Sequence, residues 1–256
     1  MHRRVVWITG ASSGIGRALA IRMARQGWTV AASARRTDLL DTLVKEFRAE
    51  GVEGMGTISA FPVDVTDVST VTNVVRAVEK GLGEIETVVL AAGTHIPTDP
   101  SQFDIQDVRD IFELNVMGVM NCVSATLPGF IDRKKGRLAI VSSVAGYRGL
   151  PTASAYGASK AALINFSEAL RVDLAPYNIV VQLISPGFVR TPLTDKNEFP
   201  MPFLMEVEDA AASILKGLET DRFEISFPKQ FVVLLKLLRL LPYWAYFKLV
   251  RFQTGK

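Results

Sequence analysis

Cysteine occurs once, at Cys122, so no intramolecular disulfide can form and nothing demands an oxidising compartment; a reducing cytosol fits. Histidine is nearly as scarce. Neither His2 nor His95 has a second His, Cys or carboxylate at ligand spacing, which argues against a metal site. His95 follows the fourth apolar run and reads as a solvent-exposed loop side chain. Long uncharged apolar runs are also lacking: behind the basic His2, Arg3 and Arg4, the run Val5 to Ile8 is too short for a signal peptide and leads straight into a glycine-rich motif. It reads as a first strand. Acidic residues are missing from residues 229–256, which carry six Lys/Arg, and the remaining 23 Lys/Arg against 26 Asp/Glu leave the rest of the chain at −3. That asymmetry argues against a nucleic-acid-binding body and for a tail that meets an anionic surface. The cluster Arg133-Lys134-Lys135-Gly136-Arg137 reads as a charged helix end and turn, not a nucleic-acid patch.

What is present is material for one large α/β domain: 256 residues, 48% of them hydrophobic. Apolar runs of strand length, at Arg4–Thr9, Thr29–Ala34, Ile58–Val63, Thr87–Ala91, Arg137–Ser142, Val180–Ile184 and Glu224–Phe227, alternate with helix-length amphipathic stretches. Alternation of this kind predicts βαβ units in a Rossmann-like, doubly wound parallel sheet of about seven strands, with helices on both faces. Gly27, Gly51 and either Gly81 or Gly83 punctuate the first three helices. No linker or repeat interrupts residues 1–228, and residues 229–256 read as a separate basic, amphipathic helical tail.

Directly after the first strand stands Thr9-Gly10-Ala11-Ser12-Ser13-Gly14-Ile15-Gly16, followed by the helical run Arg17–Gln26. Glycines let the backbone approach a pyrophosphate, and a helix N-terminus offers free N–H groups to it. A glycine-rich turn without a ligand is the plainer alternative for the motif alone. The second strand ends Ala34-Arg35-Arg36, where an NAD-selective site would place a carboxylate, and no acid follows until Asp38. Guanidinium groups there suit a 2′-phosphate and favour NADP(H), Arg35 being the better candidate; two surface arginines are the alternative. Tyr156 and Lys160, four apart, share a helix face. An adjacent ammonium is expected to stabilise the phenolate and bring a phenol toward the working range, so that Tyr156 can protonate a carbonyl oxygen, while Ser143 hydrogen-bonds the same oxygen.

Taken together, Thr9-Gly10-x-x-x-Gly14-x-Gly16, Asp64-Val65, Asn115-Val116, Ser143-x-x-Gly146, Tyr156-x-x-x-Lys160 and Pro186-Gly187 followed by Thr191 resemble the short-chain dehydrogenase/reductase family, NADP type, over residues 4–228. The resemblance implies that Ser12, Ser13, Ile15, Ala92 and Gly93 join the glycines around the cofactor, and that Asp64 and Val65 hold the adenine. It implies that Asn115 keeps a kinked helix and a proton-relaying water, and that Lys160 also binds the nicotinamide ribose. Pro186, Gly187, Val189 and Thr191 would line the nicotinamide. Ser143 rather than Ser142 takes the catalytic place because it stands three before Gly146 and thirteen before Tyr156, the family spacing; Ser142 is read as structural. Homo-oligomerisation, through the helices carrying Asn115 and Tyr156, is implied as well. Two departures stand out. Leu90-Ala91-Ala92-Gly93 lacks the family's amide, which puts a brace of the central sheet in doubt, and the C-terminal end lacks the Gly-rich finish of the fatty-acid-synthesis ketoreductases.

Between Pro192 and Met205 lie Leu193, Phe199, Met201, Phe203, Leu204 and Met205, an apolar lid that suits either a hydrophobic substrate or packing on the protein's own core. Beyond Pro228, Lys229–Leu241 and Tyr243–Phe252 read as two amphipathic helices divided by Pro242, with Lys229, Lys236 and Arg239 on one face and Lys248 and Arg251 on another. Neither can span about 30 Å of hydrocarbon. They suit a membrane surface, or an arm packed on the body or a dimer partner. The expected protein is an NADPH-dependent carbonyl reductase or reversible alcohol dehydrogenase for a lipid, steroid or acyl-type substrate, cytoplasmic or peripheral on a membrane. A cofactor sensor without turnover and an NAD-dependent alcohol dehydrogenase are the rival readings.

Overall fold

The computed structural model describes residues 4–51, 54–196 and 199–254; His2, Arg3 and Lys256 lie outside the described residues. In chain order the elements are β1 (Val5–Thr9), α1 (Gly14–Arg25), β2 (Thr29–Ser33), α2 (Thr37–Ala49), β3 (Thr57–Ala60), α3 (Val68–Leu82), β4 (Ile85–Leu90), α4 (Ile105–Phe112) and α5 (Gly118–Arg133). There follow β5 (Gly136–Val141), α6 (Ser154–Asp173), β6 (Ile179–Pro186), α7 (Val207–Leu218), β7 (Glu224–Phe227), α8 (Lys229–Leu240) and α9 (Tyr243–Thr254). The strands form one parallel sheet of seven, in the order β3-β2-β1-β4-β5-β6-β7. Strand residues alternate between its faces: Val6 and Ile8 join a core with Leu19, Met23, Leu40, Ile214 and Leu215 of α1, α2 and α7. Val5 and Trp7 join the opposite core with Val75, Val123, Phe130 and Leu163 of α3, α5 and α6. Helices on both faces are what near-continuous apolar strands require.

Element bounds differ from the sequence expectation where polar or special residues intervene. β4 begins at Ile85 rather than Thr87, because Ile85 already pairs with Val5; the register then shifts past Glu86, whose carboxylate is paired to Arg4 at 3.3 Å, before Thr87 pairs with Val6. β3 stops at Ala60, two residues before Pro62, which has no N–H to offer a ladder. β6 runs on to Pro186 because Ser185 and Pro186 pair with Ser226 and Phe227. α1 opens at Gly14, ahead of the expected Arg17, and places Gly14, Ile15 and Gly16 in its first turn.

The strand order reverses between β1 and β4, and there the loops after the two strands part to opposite sides and leave a crevice at the carboxyl ends. Gly10, at φ +70, is the hinge of the first loop, and a Cβ on it would stand 2.7 Å from the Ala91 carbonyl oxygen. Gly10→Ala is therefore expected to cost about 1–3 kcal/mol, measured by chemical denaturation; unchanged stability would contradict this close approach. Where the sequence lacks an amide to brace the sheet, Thr9 Oγ1 accepts hydrogen bonds from the Ala91 and Ala92 N–H groups at 3.2 and 3.3 Å, joining the β1 and β4 ends.

Candidate active site

One crevice at this switch point is lined by Gly10, Ser12, Ser13, Gly14, Ile15, Gly16, Arg35, Arg36, Asp64, Val65, Ala92, Gly93, Ser143, Tyr156, Lys160, Pro186, Gly187, Val189 and Thr191. Of the residues singled out from the sequence, Asn115 stands outside that lining, fully buried behind it. The first turn of α1 carries no acidic residue, so its free N–H groups present uncompensated positive charge to the crevice. A Cβ on Gly14 would lie 3.1 Å from Thr191 Cγ2, so the loops after β1 and β6 face each other closely here. Bare backbone, a helix N-terminus and two arginines fit a dinucleotide diphosphate and an extra phosphate.

The two arginines are not equivalent. Arg36 donates to Ser12 Oγ at 3.0 Å and Ser13 Oγ at 2.9 Å, tying the end of β2 to the glycine loop. Arg35 is more loosely held, 63% exposed and 4.0 Å from Asp64 Oδ2. Asp64 itself caps its own turn, accepting from the Thr66 N–H at 3.0 Å and from Thr66 Oγ1 at 2.8 Å.

Ser143, just past β5, accepts from the Ala145 N–H at 3.1 Å and is hydrogen-bonded to the Tyr156 phenol. Ser142 points the other way, donating to the Lys160 carbonyl at 2.8 Å and fastening α6 to the end of β5. On α6, Lys160 Nζ lies 5.7 Å from the Tyr156 ring centre and donates to the Val141 carbonyl at 3.0 Å. The expected lowering of the phenol by that ammonium is not what the structure shows. Burial raises Tyr156 above its ordinary value of 10 and the Ser143 hydrogen bond opposes it, while burial pulls Lys160 down to about 8. The reason is desolvation, which penalises both charged forms before either can help the other.

The Lys160 shift has a measurable sign. A folded value below the unfolded one favours the neutral amine, so this contribution to stability is fullest above 10.5 and is lost as pH falls through about 8. Lys160→Met is therefore expected to stabilise the fold at neutral pH by on the order of 1–3 kcal/mol, the gap closing in alkali. Thermal midpoints across that pH range check it, and a variant less stable at neutral pH contradicts it.

Between α4 and α5, residues Glu113–Met117 form a π-helical turn, a widened ring that displaces the helix axis. It turns Asn115 inward, where Oδ1 accepts from the Thr94 N–H at 2.8 Å and Nδ2 donates to the Thr94 carbonyl and to Ser159 Oγ, each at 3.0 Å. Gly93 makes room for this. A Cβ on it would stand 3.1 Å from Asn115 Oδ1 and 3.5 Å from Lys160 Nζ.

His95 corrects the sequence reading: it is not a solvent-exposed loop histidine but 8% exposed, with its ring edge-on to Tyr156 at 4.7 Å between centres. Its place two residues after Gly93 was the available signal; the fold of the loop after β4 turns it inward. Phe188 was missed too. It stacks on Phe231 of α8 at 5.4 Å and meets Phe199 edge-on at 5.9 Å, while Phe203 lies 6.0 Å from Phe231. Phe231 is buried, but Phe199 and Phe203 remain about half exposed, so the lid both packs on the protein and keeps apolar surface open.

Sheet order, glycine loop and the Ser143/Tyr156/Lys160 crevice together define a protein of the Rossmann-like α/β class. Residues 4–200 match the family model for short chain dehydrogenase, and the chain belongs to the short-chain dehydrogenase/reductase family of oxidoreductases, which use a nicotinamide cofactor. It is 42% identical over 242 residues, 94% of each chain, to an uncharacterized oxidoreductase of Myxococcus xanthus. It is 36% identical over 196 residues, 77% of this chain and 78% of the other, to the 3-oxoacyl-[acyl-carrier-protein] reductase FabG of Thermotoga maritima. A solved short-chain dehydrogenase from Sphingobium yanoikuyae in complex with NADPH superposes with a TM-score of 0.78 at 26% identity, covering 98% of this chain and 94% of that one.

Proposed function

We propose that this oxidoreductase transfers a hydride between NADP(H) and a hydrophobic ketone or aldehyde, or the corresponding secondary alcohol, with Tyr156 as general acid or base. The observation that carries the reading is the meeting of Ser143, Tyr156 and Lys160 in the same crevice as the glycine loop and the two arginines. In this reading Gly10, Gly14, Gly16 and the first turn of α1 hold the diphosphate, Arg35 and Arg36 the 2′-phosphate, and Asp64 and Val65 the adenine. Ala92, Gly93, Pro186, Gly187, Val189 and Thr191 hold the nicotinamide end, and the cofactor supplies the hydride.

Ser143 Oγ fixes the substrate oxygen by a hydrogen bond. Tyr156 Oη, kept protonated by burial, delivers its proton to that oxygen in the reductive direction. Lys160 holds the ribose and, through Asn115 and a water, refills the phenol's proton. Support for an apolar substrate comes from the segment after β6, where Leu193 lines the crevice and Phe199 and Phe203 keep about half their surface open, since such side chains gain by covering hydrocarbon. The same reading puts homo-oligomer contacts on α4, the π-helical turn with α5, and α6, where Ile105 of α4, Met117 of the turn and Val172 of α6 are exposed. The test is oxidation of NADPH, compared with NADH, over ketones graded by chain length. Rising kcat/KM with chain length and preference for NADPH are expected; binding of NADPH without turnover on any ketone would overturn the reading.

A further inference from the structure

The tail divides its apolar surface between two duties. The inner side of α8 buries Phe231, Val232 and Leu235 in a core of their own with Val144, Tyr147, Ile164 and Leu183. Arg148 locks the turn into α9, donating to the carbonyls of Leu238, Arg239 and Leu241, the last at 2.8 Å, with its guanidinium 3.9 Å from the Tyr246 ring centre. Tyr246 is buried and donates to the Gly149 carbonyl. Lys236, expected on a common cationic face, is instead paired with Glu224 of β7 and lies 5.7 Å from the Tyr147 ring. It serves the body. The outer side is left bare: Leu237, Leu240, Tyr243, Trp244, Phe247 and Phe252 are all exposed, Leu240 at 80% and Phe252 at 88%. Arg239, Lys248 and Arg251 are exposed among them.

We propose that this outer face of α8 and α9 docks on an anionic membrane surface and holds the mouth of the crevice at the level of the lipid headgroups. Each helix has 12 residues, about 18 Å long, so the pair lies in the interface plane and cannot cross about 30 Å of hydrocarbon. Charge selects the lipid over a second copy. A two-fold contact of this face with itself would oppose Arg239, Lys248 and Arg251 to their own copies, and residues 229–256 hold no Asp or Glu to relieve them. A bilayer containing acidic lipid offers hydrocarbon to the rings and negative charge to the cations together, and exposed Tyr and Trp suit the headgroup boundary.

Continuity with the site gives docking a purpose, and this clause alone rests on the reading proposed above. Gly187 lines the crevice, and a Cβ on it would stand 2.9 Å from Phe231 Cδ1, so the helix that faces lipid outside walls the lid inside. A carbonyl compound dissolved in the bilayer would enter between the two.

The experiment uses the full chain, because cutting at residue 228 would strip Phe231, Val232 and Leu235 from the core. Trp7 and Trp28 are buried and Trp244 is 76% exposed, so tryptophan emission reports the outer face. With vesicles of phosphatidylglycerol and phosphatidylcholine, a blue shift and co-sedimentation are expected, at least roughly tenfold stronger than with phosphatidylcholine alone and weakened by salt. The variants K248E/R251E and, separately, Trp244→Ser with Phe252→Ser should each lose about tenfold in partitioning. Both should keep the thermal midpoint and the turnover of a short soluble ketone. For a long-chain ketone carried in vesicles, kcat/KM should fall in those variants only.

Equal binding by wild type and variants, or absence of the shift on anionic vesicles, would overturn the proposal. So would a concentration-dependent dimer that these variants abolish, which would assign the face to a second copy. Vesicle binding without turnover on any ketone would leave the docking surface standing and remove the catalytic reading instead.

Discussion

Tyr156→Phe is expected to bind NADPH as the wild type does and to lose at least about a hundredfold in turnover, the range for removal of a general acid. The substitution removes one oxygen from a part-buried ring that lines the crevice and meets His95 edge-on, so the crevice keeps its shape while the proton donor disappears. Burial makes the contrast sharp. With the phenol raised above its ordinary value and touched by Ser143, the neutral form that donates is the one present at neutral pH, and a phenyl ring leaves the substrate oxygen with a hydroxyl that cannot replace it. Cofactor affinity from fluorescence titration and kcat from NADPH consumption separate binding from chemistry. Turnover within a few-fold of wild type would end the assignment of Tyr156, whatever the family resemblance.

The second large effect concerns the arginines after β2. Arg35→Ala should weaken NADPH binding by about 10–100-fold, as loss of a charge-assisted hydrogen bond of about 1.5–3 kcal/mol implies, and should leave NADH nearly unchanged. Arg36→Ala is expected to weaken both, because its guanidinium also holds Ser12 and Ser13 at 3.0 and 2.9 Å and the loop loosens without it. The pair of variants therefore separates recognition of a 2′-phosphate from support of the glycine loop. If Arg35→Ala costs NADPH and NADH the same factor, the preference for NADP(H) lies elsewhere.

Local patterns were legible where chemistry and geometry are set by neighbours in the chain. The run from Val5 to Gly16 reads as strand, bare turn and helix start because apolar residues and glycines allow little else there, and Tyr156 and Lys160 share a face because a helix repeats every 3.6 residues. The tail's two amphipathic stretches, broken at Pro242, appear at α8 and α9 for the same reason. What escaped depends on residues far apart. His95 reads as a surface side chain until α6 brings Tyr156 against it, and Lys236 reads as one of three like cations until β7 places Glu224 beside it. The effect of Lys160 on the phenol was misjudged because burial is a property of the whole core and not of spacing.

By itself, then, the order of residues determined the alternating strands and helices, the glycine turn and the phenol and amine on one helical face, since each follows from backbone sterics or a short repeat. Tertiary structure decided which apolar tail residues are spent on the body and which remain bare, how Arg148 clamps Leu238 and Tyr246, and how far burial shifts Tyr156 and Lys160. Those outcomes depend on desolvation and on contacts across the sheet between residues up to about a hundred positions apart, and no local pattern encodes the partner such a side chain will meet.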